Sequence, residues 1–125
     1  MLWKQVKSRL CGYGGGRIAV RNPSIKPSRE DIMKESDITK AILRYLKKVP
    51  ECFCWKEHGG MYGTAGIPDV ICCYKGHFVG FEVKTDKGQP TELQKATIEK
   101  IQNSGGTAVV VRSVDEVREV ILSLQ

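Results

Sequence analysis

The sequence lacks any apolar run long enough to cross a bilayer. Its most hydrophobic stretches are GIPDVICCY, which is interrupted by Asp69, and the short AVVV near the C-terminus. A spanning helix needs about 20 apolar residues, so no membrane insertion is expected. The N-terminus is basic, but no apolar stretch follows it, so a secretory signal is not expected either. No internal repeat is visible. The glycine-rich run from Gly12 to Arg17 has no Gly-Lys-Ser/Thr, which excludes a nucleotide-binding P-loop. Histidine is scarce: His58 and His77 have no base-orienting partner in the sequence and read as polar loop residues. Cysteine is present but unsuited to a disulfide framework. Cys11, Cys52, Cys54, Cys72 and Cys73 are odd in number, and two of them are adjacent. Adjacent strand residues point to opposite faces, so reduced thiols in a cytosolic compartment are expected. Cys52, Cys54 and His58 with Cys72 or Cys73 resemble zinc ligands in type only. The paired spacing of a zinc ribbon is missing, and buried thiols are the better reading.

What remains is ordinary globular material. The chain has 125 residues, 41% hydrophobic and 27% charged, enough for one core or for a core with a tail. The charge is unevenly placed. Residues 1–34 hold eight basic residues and two acids, 8 − 2 = +6, which is the whole net charge of the chain. Residues 35–125 hold 12 of each sign. A basic arm on a neutral domain suits an anionic polymer as partner. A solubilising tail, or a segment foreign to the domain, explains it equally well. Its glycines and prolines predict a poorly ordered segment over residues 1–27, followed by a domain over 28–125.

Helix signals begin near Ser28. Ile38, Ala41, Ile42, Tyr45, Leu46 and Val49 then recur at helical spacing until Pro50. Cys52–Glu57 reads as a strand with Phe53 and Trp55 on one side and Cys52 and Cys54 on the other. A glycine-rich loop follows. Val70–Tyr74 and Phe78–Lys84 read as a hairpin turned by Lys75-Gly76. Thr91 opens a second helix with Gln94 at the capping-box position, and Leu93, Ile98 and Ile101 form its apolar side until Gly105-Gly106. Thr107–Arg112 reads as a strand with an apolar run over Ala108–Val111, as at the centre of a sheet. Ser113 and Glu116 form another capping box, before a last helix with Val117, Val120, Ile121 and Leu124 on one face. The expected order is α-β-β-β-α-β-α.

The hairpin carries the chemistry. Glu82 and Lys84 share a strand face, while Val79, Phe81 and Val83 take the other. Counting outward from Lys75-Gly76 places Asp69 opposite the Glu82 region. Two converging carboxylates repel unless a cation lies between them. Oxygen donors of this kind suit Mg²⁺, which also binds phosphate. Lys84 can then orient a water or neutralise developing charge. A surface hairpin with solvated Glu and Lys is the plain alternative.

Pro68-Asp69, twelve residues, then Glu82-Val83-Lys84 within this element order resembles the PD-(D/E)xK nuclease superfamily. The run GIPDVICCYKGHFVGFEVKTDKGQPTELQKATIEKIQNSGG resembles more narrowly the virus-type replication-repair nuclease (VRR-NUC) domain. The resemblance covers roughly residues 35–112. It implies an α/β, restriction-endonuclease-like αβββαβ core, with a mixed central sheet flanked by helices and a C-terminal helix added. It implies a Mg²⁺- or Mn²⁺-dependent deoxyribonuclease. Asp69 and Glu82 would bind the metal with the Val83 carbonyl, Glu35 would assist directly or through water, and Lys84 would position the attacking water. Small stand-alone phage and prophage members of this kind look like homodimeric nucleases selective for branched DNA such as Holliday junctions, with DNA repair in the host cytoplasm as setting. Cleavage of flaps or single-stranded ends by a monomer, or DNA binding without catalysis, are the alternatives. Glu35 continues the apolar stripe of Ile38 and Ile42, where a carboxylate needs a partner, or else it simply occupies a first helical turn. Gln94 serves the site, the helix cap, or both. His58, Tyr62, Lys87 and Gln94 flank the site as candidate DNA contacts.

Overall fold

The computed structural model describes residues 33–59 and 63–125. The basic arm over 1–27, the helix start near Ser28, and Tyr62 lie outside the described residues. The elements are α1 (Glu35–Leu46), β1 (Cys52–Lys56), β2 (Val70–Tyr74), β3 (His77–Val83), α2 (Glu92–Asn103), β4 (Thr107–Val111) and α3 (Val114–Ser123). This is the expected order. The strands form one mixed sheet in the order β1-β2-β3-β4. β1, β2 and β3 pair antiparallel, and β4 joins β3 in parallel. A parallel pair needs a crossover, and α2 supplies it. Lys75 and Gly76 both have positive φ, 48° and 81°, as a tight hairpin turn requires.

Alternation sorts the two faces of the sheet. Val70, Cys72 and Tyr74 of β2, Val79, Phe81 and Val83 of β3, and Val109 and Val111 of β4 face one way. Against them pack Ile38, Ile42 and Leu46 of α1 and Val117, Val120 and Ile121 of α3. This is the hydrophobic core. The opposite face carries Ile71, Cys73, Phe78, Gly80 and Glu82. α2 lies there, with Ile98 buried and the Gln102 side-chain amide donating to the Ala108 carbonyl (2.9 Å).

Four local expectations are corrected. β4 pairs with β3 alone and stands at the edge of the sheet, not its centre. Its apolar run reflects helices over both faces, which give an edge strand the burial of a central one. Leu93 is exposed, so the buried side of α2 is Ile98 with Ile101 half-buried. The Ser113 hydroxyl accepts from the Glu116 amide (3.3 Å), but the Glu116 carboxylate takes the Arg112 amide (2.6 Å), so the second capping box is not closed. Glu35 is exposed in the first turn of α1, on the stripe of Ile38, Ile42 and Leu46 but beyond the end of the core they bury into. Helix start, not core, sets its position, and a carboxylate there suits the positive helix end.

Candidate active site

The hairpin register runs Val70↔Phe81 to Tyr74↔His77, so Asp69 stands beside Glu82 at the open end. Two glycines make that end possible. Gly66 has φ +82°, a conformation costly for any side chain, and a Cβ there would collide with Leu93 and Thr97 of α2. Gly80 lies under Pro68, whose ring would be 2.9 Å from an added Cβ. The Gly66-Ile67-Pro68-Asp69 turn is therefore laid flat on β3. Asp69 is then fixed twice. Its Oδ2 accepts the Val83 amide hydrogen at 3.0 Å. Its carbonyl accepts from the Glu57 amide at 2.8 Å, which extends the β1–β2 ladder by one pair.

Glu82 is the most unusual residue of the molecule. It is 1% exposed, a carboxylate among the largest fully buried side chains. Its Oε1 accepts from Gln94 Nε2 at 2.7 Å and meets Lys84 Nζ at 3.3 Å. Its Oε2 is buried with no hydrogen-bond partner. Burial pushes the Glu82 carboxyl up from 4.5 to about 7; the Asp69 charge adds to the rise and Lys84 opposes it. Gln94 closes the helix cap and also reaches Glu82. Its Oε1 accepts from the Thr91 amide (2.8 Å) and its backbone donates to the Thr91 hydroxyl (3.2 Å), closing the capping box. Its amide nitrogen is thereby turned to Glu82.

A buried, unpaired carboxylate oxygen costs free energy unless something positive meets it. The donors here are hard oxygens on a rigid hairpin, which fits Mg²⁺ or Mn²⁺. Among the described residues, no three His, Cys, Asp or Glu side chains cluster closely enough to hold a metal ion. The arrangement is thus a two-carboxylate site, and Glu35 is not brought into it. Val83 contributes its amide to Asp69, with its side chain in the core. His58 and Lys87 are exposed on flanking loops. Cys52 and Cys54 pack towards the core beside buried Cys72, while Cys73 is exposed. Burial pushes the Cys52, Cys54 and Cys72 thiols up, away from the thiolate form a metal needs.

Two contributors escaped sequence reasoning. Arg112 Nη1 donates to the carbonyls of Thr85 and Gly88, which ties down the loop bearing Lys87. Glu57 stands across β1 from Asp69 and accepts the Trp55 indole hydrogen at 2.9 Å. Nothing local in the sequence signals the Arg112 contacts or the pairing of Glu57 with Asp69, since these join distant segments, whereas the Trp55–Glu57 bond spans only two residues.

The raised Glu82 pKa makes stability depend on pH. The folded protein holds this proton more tightly than the unfolded chain. Its contribution is therefore complete below about 4.5 and lost as pH rises through about 7. In chelator, the melting temperature should fall between pH 5.5 and 8, by the equivalent of about 2 kcal/mol. Glu82→Gln should flatten that slope. A wild-type slope no steeper than the variant's would contradict the burial argument.

No family model and no curated protein matches the chain. Solved structures do. One, named "VRR_NUC domain protein", is 25% identical over 72% of this chain and 86% of its own, with a TM-score of 0.59. Another, named "VRR_NUC domain", is 22% identical over 73% of this chain and 97% of its own, with a TM-score of 0.61. The mixed sheet and its flanking helices, with the carboxylate pair at the open end of the hairpin, make an α/β fold of the restriction-endonuclease-like class. Within that class, the fold is that of the VRR-NUC domain.

Proposed function

We propose that the chain is a Mg²⁺- or Mn²⁺-dependent DNA endonuclease, selective for branched DNA such as Holliday junctions. The observation that carries this reading is the buried, unpartnered Oε2 of Glu82 beside the anchored carboxylate of Asp69. A non-catalytic DNA binder has no use for two converging carboxylates where phosphate must approach. Asp69 and Glu82, with the Val83 carbonyl, would hold the ion. An ion bound there would offset the carboxylate charges, lower the pKa of a coordinated water and stabilise charge at phosphorus. Gln94 keeps Glu82 in one rotamer. Lys84 would orient the nucleophilic water for in-line attack on the phosphodiester. Glu35, exposed at the start of α1, would act through water. Lys87, His58 and Tyr62 are assigned to DNA contact. A homodimer would place two sites for cutting two strands, as suits a symmetric branched substrate. Repair of host or phage DNA in the bacterial cytoplasm, by a phage- or prophage-encoded protein, is the setting proposed. No helix among the described residues is long and apolar enough to cross a membrane.

The test is incubation with labelled junction, flap, duplex and single-stranded DNA in Mg²⁺, Mn²⁺ or EDTA. Branched DNA should be cut in either metal and left whole in EDTA. Undiminished cutting in excess chelator would overturn the reading. One observation favours a second reading, a monomer acting on flaps or single-stranded ends: the site shares its sheet face with exposed aromatic side chains.

The basic arm over residues 1–27 is proposed to add affinity without selecting the substrate, because phosphate contacts carry no sequence information. Its deletion should weaken DNA binding, flatten the salt dependence, and leave the cleavage pattern unchanged. A deletion variant that is unfolded, or cuts at new positions, would make the arm part of the domain.

A further inference from the structure

The face that bears Asp69 and Glu82 continues, along the strands, into a set of exposed aromatic rings. Cross-strand register puts Phe53, Cys73 and Phe78 in one row, and Trp55, Ile71 and Gly80 in the next. The row after that holds Glu57, Asp69 and Glu82. Phe53 is 71% exposed, Trp55 40% and Phe78 45%. These are the exposed aromatic side chains of the described residues with large apolar surface, and they share one face. Phe53 and Trp55 have centroids 5.7 Å apart at an interplanar angle of 44°. The Trp55 indole is held by Glu57, the residue opposite Asp69.

We propose that this aromatic face stacks the unpaired bases of the DNA substrate, next to the phosphate held for cleavage. The inference rests on the nuclease reading and takes its second form, in which the substrate carries unpaired nucleotides as flaps and single-stranded ends do and a fully paired junction does not. Rows two residues apart along a strand lie about 6.7 Å apart. The Trp55 row is one such step from the carboxylates and the Phe53–Phe78 row is two, comparable to the reach of successive extended nucleotides. Every base has a π-face, so aromatic side chains on a sheet hold unpaired bases without reading sequence. Paired bases, stacked within the duplex, cannot use them. This fits a domain without a base-reading motif. The area argues against a second copy of the chain as occupant. At these exposures the three rings offer roughly 300 Å², whereas a stable interface takes about 800 Å² from each partner. A patch of roughly 300 Å² matches the scale of functional patches on monomers.

The test uses the full chain with Trp3→Phe, so that Trp55 is the sole indole, and Ca²⁺, so that DNA binds without being cut. Trp55 emission is followed while flap DNA, single-stranded DNA and blunt duplex are titrated. Flap and single strand should quench it, and blunt duplex should not. Phe53→Ala, at a largely exposed position, should leave the circular dichroism spectrum unchanged. It should weaken flap and single-strand binding about tenfold and blunt-duplex binding hardly at all. Phe78→Ala should do the same. Absence of quenching, or equal weakening for all three DNAs, would overturn the proposal. So would loss of a dimer on sedimentation of Phe53→Ala, which would assign the face to a second copy. Failure of the nuclease reading would show separately, as no cleavage of any of these DNAs in Mg²⁺ or Mn²⁺ while the binding differences persist.

Discussion

Asp69→Asn is expected to abolish cleavage while leaving the fold intact. The substitution removes one negative charge and little else. Asn keeps a carbonyl oxygen that can accept the Val83 amide hydrogen now bound by Asp69 Oδ2. The hairpin end therefore stays closed. What goes is half of the charge that attracts a divalent ion, at a site where Glu82 alone offers one unpartnered oxygen. Loss of metal-assisted stabilisation is worth several kcal/mol, a thousandfold or more in rate, on the order of the cleavage signal itself. Asp69→Ala should be just as inactive but also less stable, by about 1–3 kcal/mol, because it leaves the Val83 amide without a partner. The pair of variants separates charge from structure. The melting temperature of wild type should rise on adding Mg²⁺ or Mn²⁺, and that of Asp69→Asn should not. An Asp69→Asn protein that keeps parental cleavage, with metal-induced stabilisation, would remove Asp69 from the site. There is also a diagnostic side effect. The Asp69 charge helps push the Glu82 carboxyl up, so Asp69→Asn should lower that pKa and flatten the pH dependence of stability in chelator.

How much of this was legible in the sequence depends on the range of the interaction. The hairpin was readable because alternation and the Lys75-Gly76 turn together leave one register, and that register puts Asp69 beside Glu82. The Thr91–Gln94 cap was readable because it spans three residues. The second end of Gln94 was not, since its partner Glu82 is twelve residues away on another element. The position of β4 was misread because an apolar run reports cover on both faces, and helices give an edge strand that cover as well as neighbouring strands do. Glu35 was misplaced because helical spacing says which residues share a stripe, not how far towards the helix end the core extends. The burial of Glu82 was not visible at all. Its strand alternates in sequence as a half-solvated strand would, and only the packing of α2 and the Gly66–Asp69 turn removes water from that side.

Lys84→Ala is expected to separate binding from chemistry. Lys84 meets the same Glu82 oxygen that Gln94 holds, and leaves Oε2 free. With Lys84 removed, Gln94 still fixes Glu82, so the carboxylate pair survives. Ion affinity should therefore be nearly parental at pH 8, above the range in which Glu82 titrates in the wild type. At pH 6.5 it should be weaker in the variant, because the Lys84 ammonium is what opposes the rise of the Glu82 pKa. DNA affinity in Ca²⁺ should change little, since one ammonium is a small part of a phosphate-binding surface. Turnover should suffer far more. An ammonium on this strand face can neutralise charge that develops when phosphate is attacked, and a contact made mainly in the transition state lowers the rate without lowering binding. Loss of one such contact costs about 3 kcal/mol, or about a hundredfold. Single-turnover cleavage at pH 8 beside binding titrations in Ca²⁺ gives both readouts from one protein preparation. A structural role confined to bracing Glu82 predicts the reverse pattern, with metal affinity reduced at pH 8 and the rate restored at saturating metal. A Lys84→Ala protein that cuts at the parental rate would leave the ammonium as a partner of Glu82 and nothing more.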